Sequence, residues 1–260
     1  MSIKRIIFGF IIISTTVAVL FAVSCGFIQY IDDAPDSLSL TESDMQDTNT
    51  DNISEIEPTT EQPTERVLVI NTKFNDLLQL NKHVVGEIKI DNTIINFPVL
   101  FNGDNDYYLH HDFYGREDKY GSIFMDMTNH GAILSKNTIL HGHNFGDGRI
   151  FGELEKFKQK EFFENNKTII FNNLYSDMEW EIFAVYVIHE IDYFVQSSFS
   201  SDEEFFAFIE RIKSISLLWR DYTPSADDYI LSLNTCSFEY DKAHTIIHAK
   251  LAKKTDNWGN

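Results

Sequence analysis

Cysteine is almost missing from this chain, with two residues in 260. So few thiols exclude a disulfide framework. Their positions also argue against a single pair: Cys25 lies in an apolar N-terminal run, and Cys236 lies far away near the other end. Basic side chains are scarce too. Lys and Arg total 21 against 40 Asp and Glu, a formal charge of −19. That removes the basic footprint nucleic-acid binding requires, so no nucleic-acid partner is expected. No set of Cys, His and acidic residues falls at a familiar metal-ligand spacing, so no metal site is implied. Aromatics, by contrast, are plentiful (22 Phe and 11 Tyr), enough for a sizeable core.

The chain divides by composition. Lys4 and Arg5 precede an uncharged apolar run from Ile6 to Tyr30, and about twenty such residues span a bilayer. An uncleaved anchor is the first reading. A lipoprotein site at Ala22-Val23-Ser24-Cys25 is the second and a cleaved signal the third. The two basic residues orient the N-terminus inward. Eleven Asp and Glu then fall between Asp32 and Glu65 with no Lys or Arg among them. Such a stretch cannot bury enough apolar surface to offset its ordering entropy. The expected order is a cytoplasmic tail (1–5), a transmembrane anchor (6–30), a disordered acidic tether (31–66) and an extracytoplasmic domain (67–260). The domain is itself acidic.

Within the domain, Phe74, Leu77, Leu78 and Leu80 suggest a short helix. β-type segments follow at Val84–Ile90, Ile94–Phe101, Ser122–Met125, Thr138–Leu140, Thr168–Phe171 and Trp180–Ile188. Pro98 inside one of them points to an edge strand or a bulge. Phe151 to Phe157 reads as a short helix. Ser201 and Glu204 have capping-box spacing before Phe205, Phe208, Ile209, Ile212 and Ile215, which predicts a helix of some four turns. Many strands and few helices predict a mainly β, closed barrel.

The chemistry concentrates in two places. Tyr229-Ile230-Leu231 runs into Ser232-Leu233-Asn234-Thr235-Cys236, and the chain turns and leaves again as Thr245-Ile246-Ile247-His248. That is a hairpin with a thiol at the end of its first strand. Ninety residues earlier, Leu140-His141-Gly142-His143-Asn144 is a polar island closing another apolar run. A Cys and a His on separate strand ends are the raw material of a thiol nucleophile with an acid/base partner. The structural alternative for Cys236 is a small buried hydrophobe.

At these residues the chain resembles the sortases, most nearly class B. The Ser232-Leu233-Asn234-Thr235-Cys236 segment matches a TLxTC strand end with Ser in first place. Leu140-His141-Gly142-His143-Asn144-Phe145 is similar to the family's histidine segment. The likeness covers roughly residues 74 to 252 and also carries Phe97-Pro98-Val99, Tyr107-Tyr108-Leu109-His110-His111-Asp112-Phe113 and Gly121-Ser122-Ile123-Phe124. It implies a closed sortase-type β-barrel with short helices and a longer helix in the loop before the Cys strand.

The resemblance further implies a membrane-anchored cysteine transpeptidase of a Gram-positive-type envelope. The enzyme would cleave a C-terminal sorting signal of the NPxTN kind, form a thioacyl intermediate on Cys236 and pass it to a peptidoglycan-precursor amine. No cofactor is implied. Cys236 would be the nucleophile and His143 the proton shuttle, with His141 its rival. The family's arginine, expected eight residues after the Cys, is replaced by His244. A planar, permanently charged fork thus gives way to an imidazole, and Lys242, of the same strand parity, is a candidate surrogate. Lys242, Asn144, Thr235 and His141 complete the candidate supporting set. Two other functions fit the residues: a degenerate sortase that binds sorting peptides with little turnover, and a surface lipoprotein with a structural Cys.

Overall fold

The computed structural model describes residues 67–259; the expected anchor, acidic tether and Cys25 lie outside them. Nine strands form in chain order: β1 (Val84–Ile90), β2 (Asn96–Leu100), β3 (Phe124–Met125), β4 (Asn137–His141), β5 (Thr168–Asn173), β6 (Ser176–His189), β7 (Leu218–Trp219), β8 (Ile230–Ser237) and β9 (Ala243–Asp256). The pairing order β5-β1-β2-β3-β4-β8-β9-β6 returns from β6 to β5 and closes an eight-stranded barrel. β7 hangs on β6 outside the closed ring. Closure removes exposed strand edges. The β2–β3 and β4–β8 pairs are parallel and the rest antiparallel. The mainly β barrel expected from the sequence is therefore present.

The apolar runs became strands, with shifted ends. Val84–Ile90 forms as expected, whereas Ser122–Met125 shrinks to the two residues of β3. The Trp180–Ile188 segment grows to fourteen residues because Asp177 and Glu179 take the exposed positions of an alternating pattern. Pro98 pairs with Glu87 of β1, and the other flank of β2 is paired only at Leu100. A missing N–H there costs no ladder bond, as the edge reading requires. Gly86 beside it permits a close crossing, since a Cβ would sit 2.2 Å from the Asn172 carbonyl oxygen.

Alternation along β8 separates two environments. Leu231 and Leu233 point into the barrel with Ile88, Leu140, Trp180 and Ile247. Each such fully buried side chain contributes about 1.5–3 kcal/mol. Ile230, Ser232, Asn234 and Cys236 lie on the opposite, outer face.

Two short helices, α1 (Asn75–Leu80) and α2 (Lys160–Asn165), follow 3-10 segments at Thr72–Phe74 and Gly152–Lys158. The third, α3 (Asp202–Ile215), lies in the connection before β8 and covers part of the outer face. Its Phe205, Phe208, Ile209 and Ile212 pack with Phe183, Tyr186, Ile230 and Ile246. The cap works as expected on one side, with Ser201 Oγ accepting from Glu204 N at 3.3 Å. The reciprocal arm lands one residue earlier than expected: the Glu204 carboxylate accepts from Ser200 N at 2.6 Å.

Candidate active site

The parallel β4–β8 pair sets His141 beside Asn234, and the antiparallel β8–β9 pair sets Cys236 opposite His244. Directly opposed side chains have Cβ atoms about 4.5–5.5 Å apart. A cleft of about 250 Å³ opens over this end of the outer face, lined by Cys236, His143, His141, His244, Asn234 and Thr235, with Leu109, Phe124, Asn105 and Gly142. Cys236 is exposed, so it is not the small buried hydrophobe of the structural alternative.

Two cross-links tie the histidine segment to the cysteine strand. Thr235 Oγ1 donates to the Gly142 carbonyl at 2.7 Å, and Asn144 Nδ2 donates to the Cys236 carbonyl at 3.0 Å. Thr235 and Asn144 therefore position backbone. Gly142 is needed between the histidines because a Cβ there would meet the Phe151 ring at 2.8 Å.

The histidines differ in which nitrogens are occupied. His143 lies beyond the end of β4, and its Nε2 is 2.9 Å from the Leu109 carbonyl. A carbonyl only accepts, so Nε2 carries the proton and Nδ1 is the open nitrogen of the neutral ring. Burial lowers the His143 pKa and His110 adds to this, against the Leu109 hydrogen bond. His141 has both nitrogens engaged: Nε2 with Asp126 Oδ2 at 2.8 Å and Nδ1 with Asn234 Nδ2 at 3.0 Å. His244 engages Nδ1 with Asn234 Oδ1 at 3.0 Å.

Burial lowers the His244 pKa; Glu190 opposes this, and His141 and His189 add to it. His244 therefore differs from an arginine by having no standing charge. Although Cys236 is exposed, the cleft walls strip part of the solvent from its sulfur and, with Glu190, raise the thiol pKa. Lys242 is not among the cleft residues. It sits in the turn before β9 with φ 56°, and its amine pairs with Glu190 at 3.3 Å. Strand parity does not carry through that turn, which is why the expected surrogate points elsewhere.

Sequence reasoning missed Asp126 and left Asn234 without a role. Burial works against the Asp126 carboxylate, yet hydrogen bonds from His141 and Thr128 outweigh it and hold its pKa well below the usual range. Its one sequence signal is its place directly after the Phe124–Met125 strand. No cluster of three or more His, Cys, Asp or Glu able to hold a metal occurs among the described residues, and no helix there is long and apolar enough to cross a membrane.

The sequence model of the Sortase domain family matches residues 88–252. Sortase B of Listeria monocytogenes is 36% identical over 187 residues, spanning 71% of this chain and 76% of that protein. A solved structure of sortase B from B. anthracis aligns with a TM-score of 0.67 at 37% identity, covering 71% of this chain and 85% of its own. A Staphylococcus aureus sortase B–substrate complex aligns with a TM-score of 0.67 at 33% identity, covering 71% and 87%.

Proposed function

Because this chain belongs to the sortase family and is a sortase B-like cysteine transpeptidase, we propose that Cys236 attacks the scissile carbonyl of a sorting-signal peptide and carries the acyl group as a thioester. The observation that supports these roles is the shared cleft, in which the exposed thiol faces His244 across the strand pair while His143 enters from the linked histidine segment.

A thiolate is the attacking species. His143 works from its form protonated at the open nitrogen Nδ1: that N–H gives its proton to the departing amine, and the neutral ring then takes one back from the incoming amine. His244 stands where the family carries its arginine and donates to the developing oxyanion. Thr235 and Asn144 keep the two segments in register. The amine acceptor is a peptidoglycan precursor, and the sorting signal is of the NPxTN kind. On the same grounds, the chain is a single-pass protein of a Gram-positive-type cell membrane. Residues 6–30 cross the bilayer, and residues 31–66 hold the domain away from it; the uncharged apolar run after Lys4 and Arg5 supports this.

The test is a library of pentapeptide sorting motifs offered to the protein with and without an amine acceptor. Mass spectrometry would follow a peptide adduct on Cys236. Cleavage with a Cys236-bound acyl species, resolved by the amine, is the expected result. Adduct-free binding would instead make the chain a degenerate sortase. Mass spectrometry of the mature N-terminus separates an uncleaved anchor from acylation at Cys25 and from a cleaved signal.

A further inference from the structure

A run of hydrogen bonds on the outer face reaches from a carboxylate to the cleft, and its proton directions can be assigned. Asp126 is the fixed end. Its Oδ1 accepts from Thr128 N at 2.8 Å and from Thr128 Oγ1 at 2.6 Å, and its Oδ2 accepts from Asn105 Nδ2 at 2.9 Å. As an ionised carboxylate it only accepts, so His141 Nε2, 2.8 Å from Oδ2, must be the donor. In the neutral ring Nδ1 is then a lone pair, which fixes the Asn234 amide with its NH2 toward His141 at 3.0 Å. The Asn234 oxygen is left facing His244 and accepts from Nδ1–H at 3.0 Å. Every N–H in the run points toward Asp126. The far end is His244 Nε2, a lone pair with no hydrogen-bond partner among the described residues, on the ring directly opposite Cys236. Bonds aligned head to tail polarise one another, so the carboxylate makes that lone pair more basic.

We propose that Cys236, His244 and Asn234 form a Cys–His–Asn constellation in which His244 Nε2 takes the thiol proton, with Asp126 and His141 as positioning residues that hold the Asn234 amide. The constellation has the same logic as other thiol enzymes, where an amide oxygen sets the tautomer and aim of the base. In the step, the Sγ–H bond breaks and an Nε2–H bond forms. Thiolate and imidazolium replace two neutral groups with no change in total charge.

The transferred proton then supplies what a neutral His244 lacks: a cation and an Nε2–H donor beside the developing oxyanion. A histidine thus takes the arginine's place by collecting its charge from the nucleophile. The environment favours the exchange being coupled, because burial and Glu190 disfavour a lone thiolate and burial disfavours a lone imidazolium. The other titratable groups facing His244 are Glu190, itself paired with Lys242, His189 and the Tyr193 hydroxyl. The Tyr193 hydroxyl is buried without a hydrogen bond of ordinary geometry, and burial, with the Asp126 charge, raises its pKa.

This inference rests on Cys236 being the nucleophile, but its test needs no sorting peptide. Iodoacetamide alkylation of Cys236 is followed from pH 5 to 9 on the full chain, by mass spectrometry of the peptide carrying Cys236. Reading that peptide separates it from Cys25. His244→Gln, which preserves shape but cannot take a proton, is expected to slow alkylation at pH 6.5 about tenfold and to move the profile toward that of a free thiol. Asn234→Leu should do the same, and Asn234→Asp should keep the fast profile, because one carboxylate oxygen still accepts from His244 Nδ1–H while the other accepts from His141 once its Nδ1 takes up a proton. Should Asn234→Leu fail to fold, the contrast between His244→Gln and Asn234→Asp carries the test. The proposal is overturned if His244→Gln leaves the profile unchanged, or if His143→Gln alone shifts it. Peptide transfer is scored separately, so a failed transfer reading leaves the alkylation result standing, and the reverse also holds.

Discussion

His244 and His248 stand four residues apart on the same outer face of β9, each opposite a β8 residue with a polar hydrogen, Cys236 and Ser232. They have the same ring and almost the same neighbours in the ladder, yet their positions differ in chemistry. His248 is covered by α3. Its ring lies against Phe183, Tyr186 and Phe208, and its exposure is 0%. Both of its nitrogens are engaged, Nδ1 with Ser232 Oγ at 2.8 Å and Nε2 with Tyr186 Oη at 3.0 Å. Ser232 Oγ in turn donates its hydrogen bond to Asn137 Oδ1 at 2.8 Å. That histidine is a closed structural part, and burial pushes its pKa down to about 3. His244, beyond the helix cover, has one nitrogen tied and one without a partner among the described residues, on a ring opposite a thiol. The comparison teaches that an incomplete hydrogen-bond set at an accessible place, and not residue type, is what marks one of two like histidines as a candidate for chemistry.

The largest effect that could break this contrast is at the residues opposite the two rings. Cys236→Ala is expected to abolish peptide cleavage and transfer while leaving the thermal melting profile in place. Ser232→Ala should leave the acyl adduct on Cys236 detectable but destabilise the fold by about 1–3 kcal/mol, because it orphans buried groups of His248 and Asn137. Near-normal turnover in Cys236→Ala would defeat the functional half of the comparison outright.

Next in size is the shuttle. His143→Ala should lower turnover by about 10²–10⁴-fold, and His141→Ala, whose ring is tied at both nitrogens, should cost less. Steady-state kinetics on one cleaved peptide decides between them, and a larger loss at His141 reverses the assignment.

The two β9 histidines themselves come third. His244→Ala should reduce kcat by about 10²–10³-fold, the cost of one oxyanion donor, with little change in stability. His248→Gln should do the opposite. The pH dependence sharpens this. The folded-state pKa of His248, about 3, lies below its unfolded value near 6.5. The unfolded chain therefore binds the extra proton, and stability is lost as pH falls from about 6.5 toward 3, with a limiting slope of about 1.4 kcal/mol per pH unit. Melting temperatures across that window should flatten most in His248→Gln and less in His244→Ala, whose ring pKa burial also lowers.

The smallest effect is expected at Lys242. Its ion pair with Glu190 is exposed on both sides, and such pairs contribute about 0–1 kcal/mol. Lys242→Ala should change melting and turnover little. A loss comparable with that of His244→Ala would move the cation to the turn and undo the assignment of the open imidazole.

Much of this was legible in the chain. Apolar β-type runs located most of the strands, and Ser201 and Glu204 announced α3 at its observed start. The thiol at the end of β8 and the His141-Gly142-His143 island were visible because each interrupts an apolar run with residues that have no business in a core. Strand ends were less legible: β6 begins four residues early at Ser176, since alternating acidic residues satisfy a half-exposed strand as readily as a loop.

What the sequence alone determined is the set of local preferences: which runs become strands, where the capped helix begins, and that a lone thiol and two histidines fall at strand ends. These depend on neighbours a few residues away, which composition and spacing record directly. Only the tertiary structure decided the register that sets His141 beside Asn234 and Cys236 opposite His244, the arrival of Asp126 from just beyond β3, and the turn at Lys242 that breaks strand parity. Only it placed α3 over His248 and not over His244. Those outcomes depend on closing the barrel and pairing buried donors and acceptors across strands, and contacts between residues ninety positions apart leave no period in the chain.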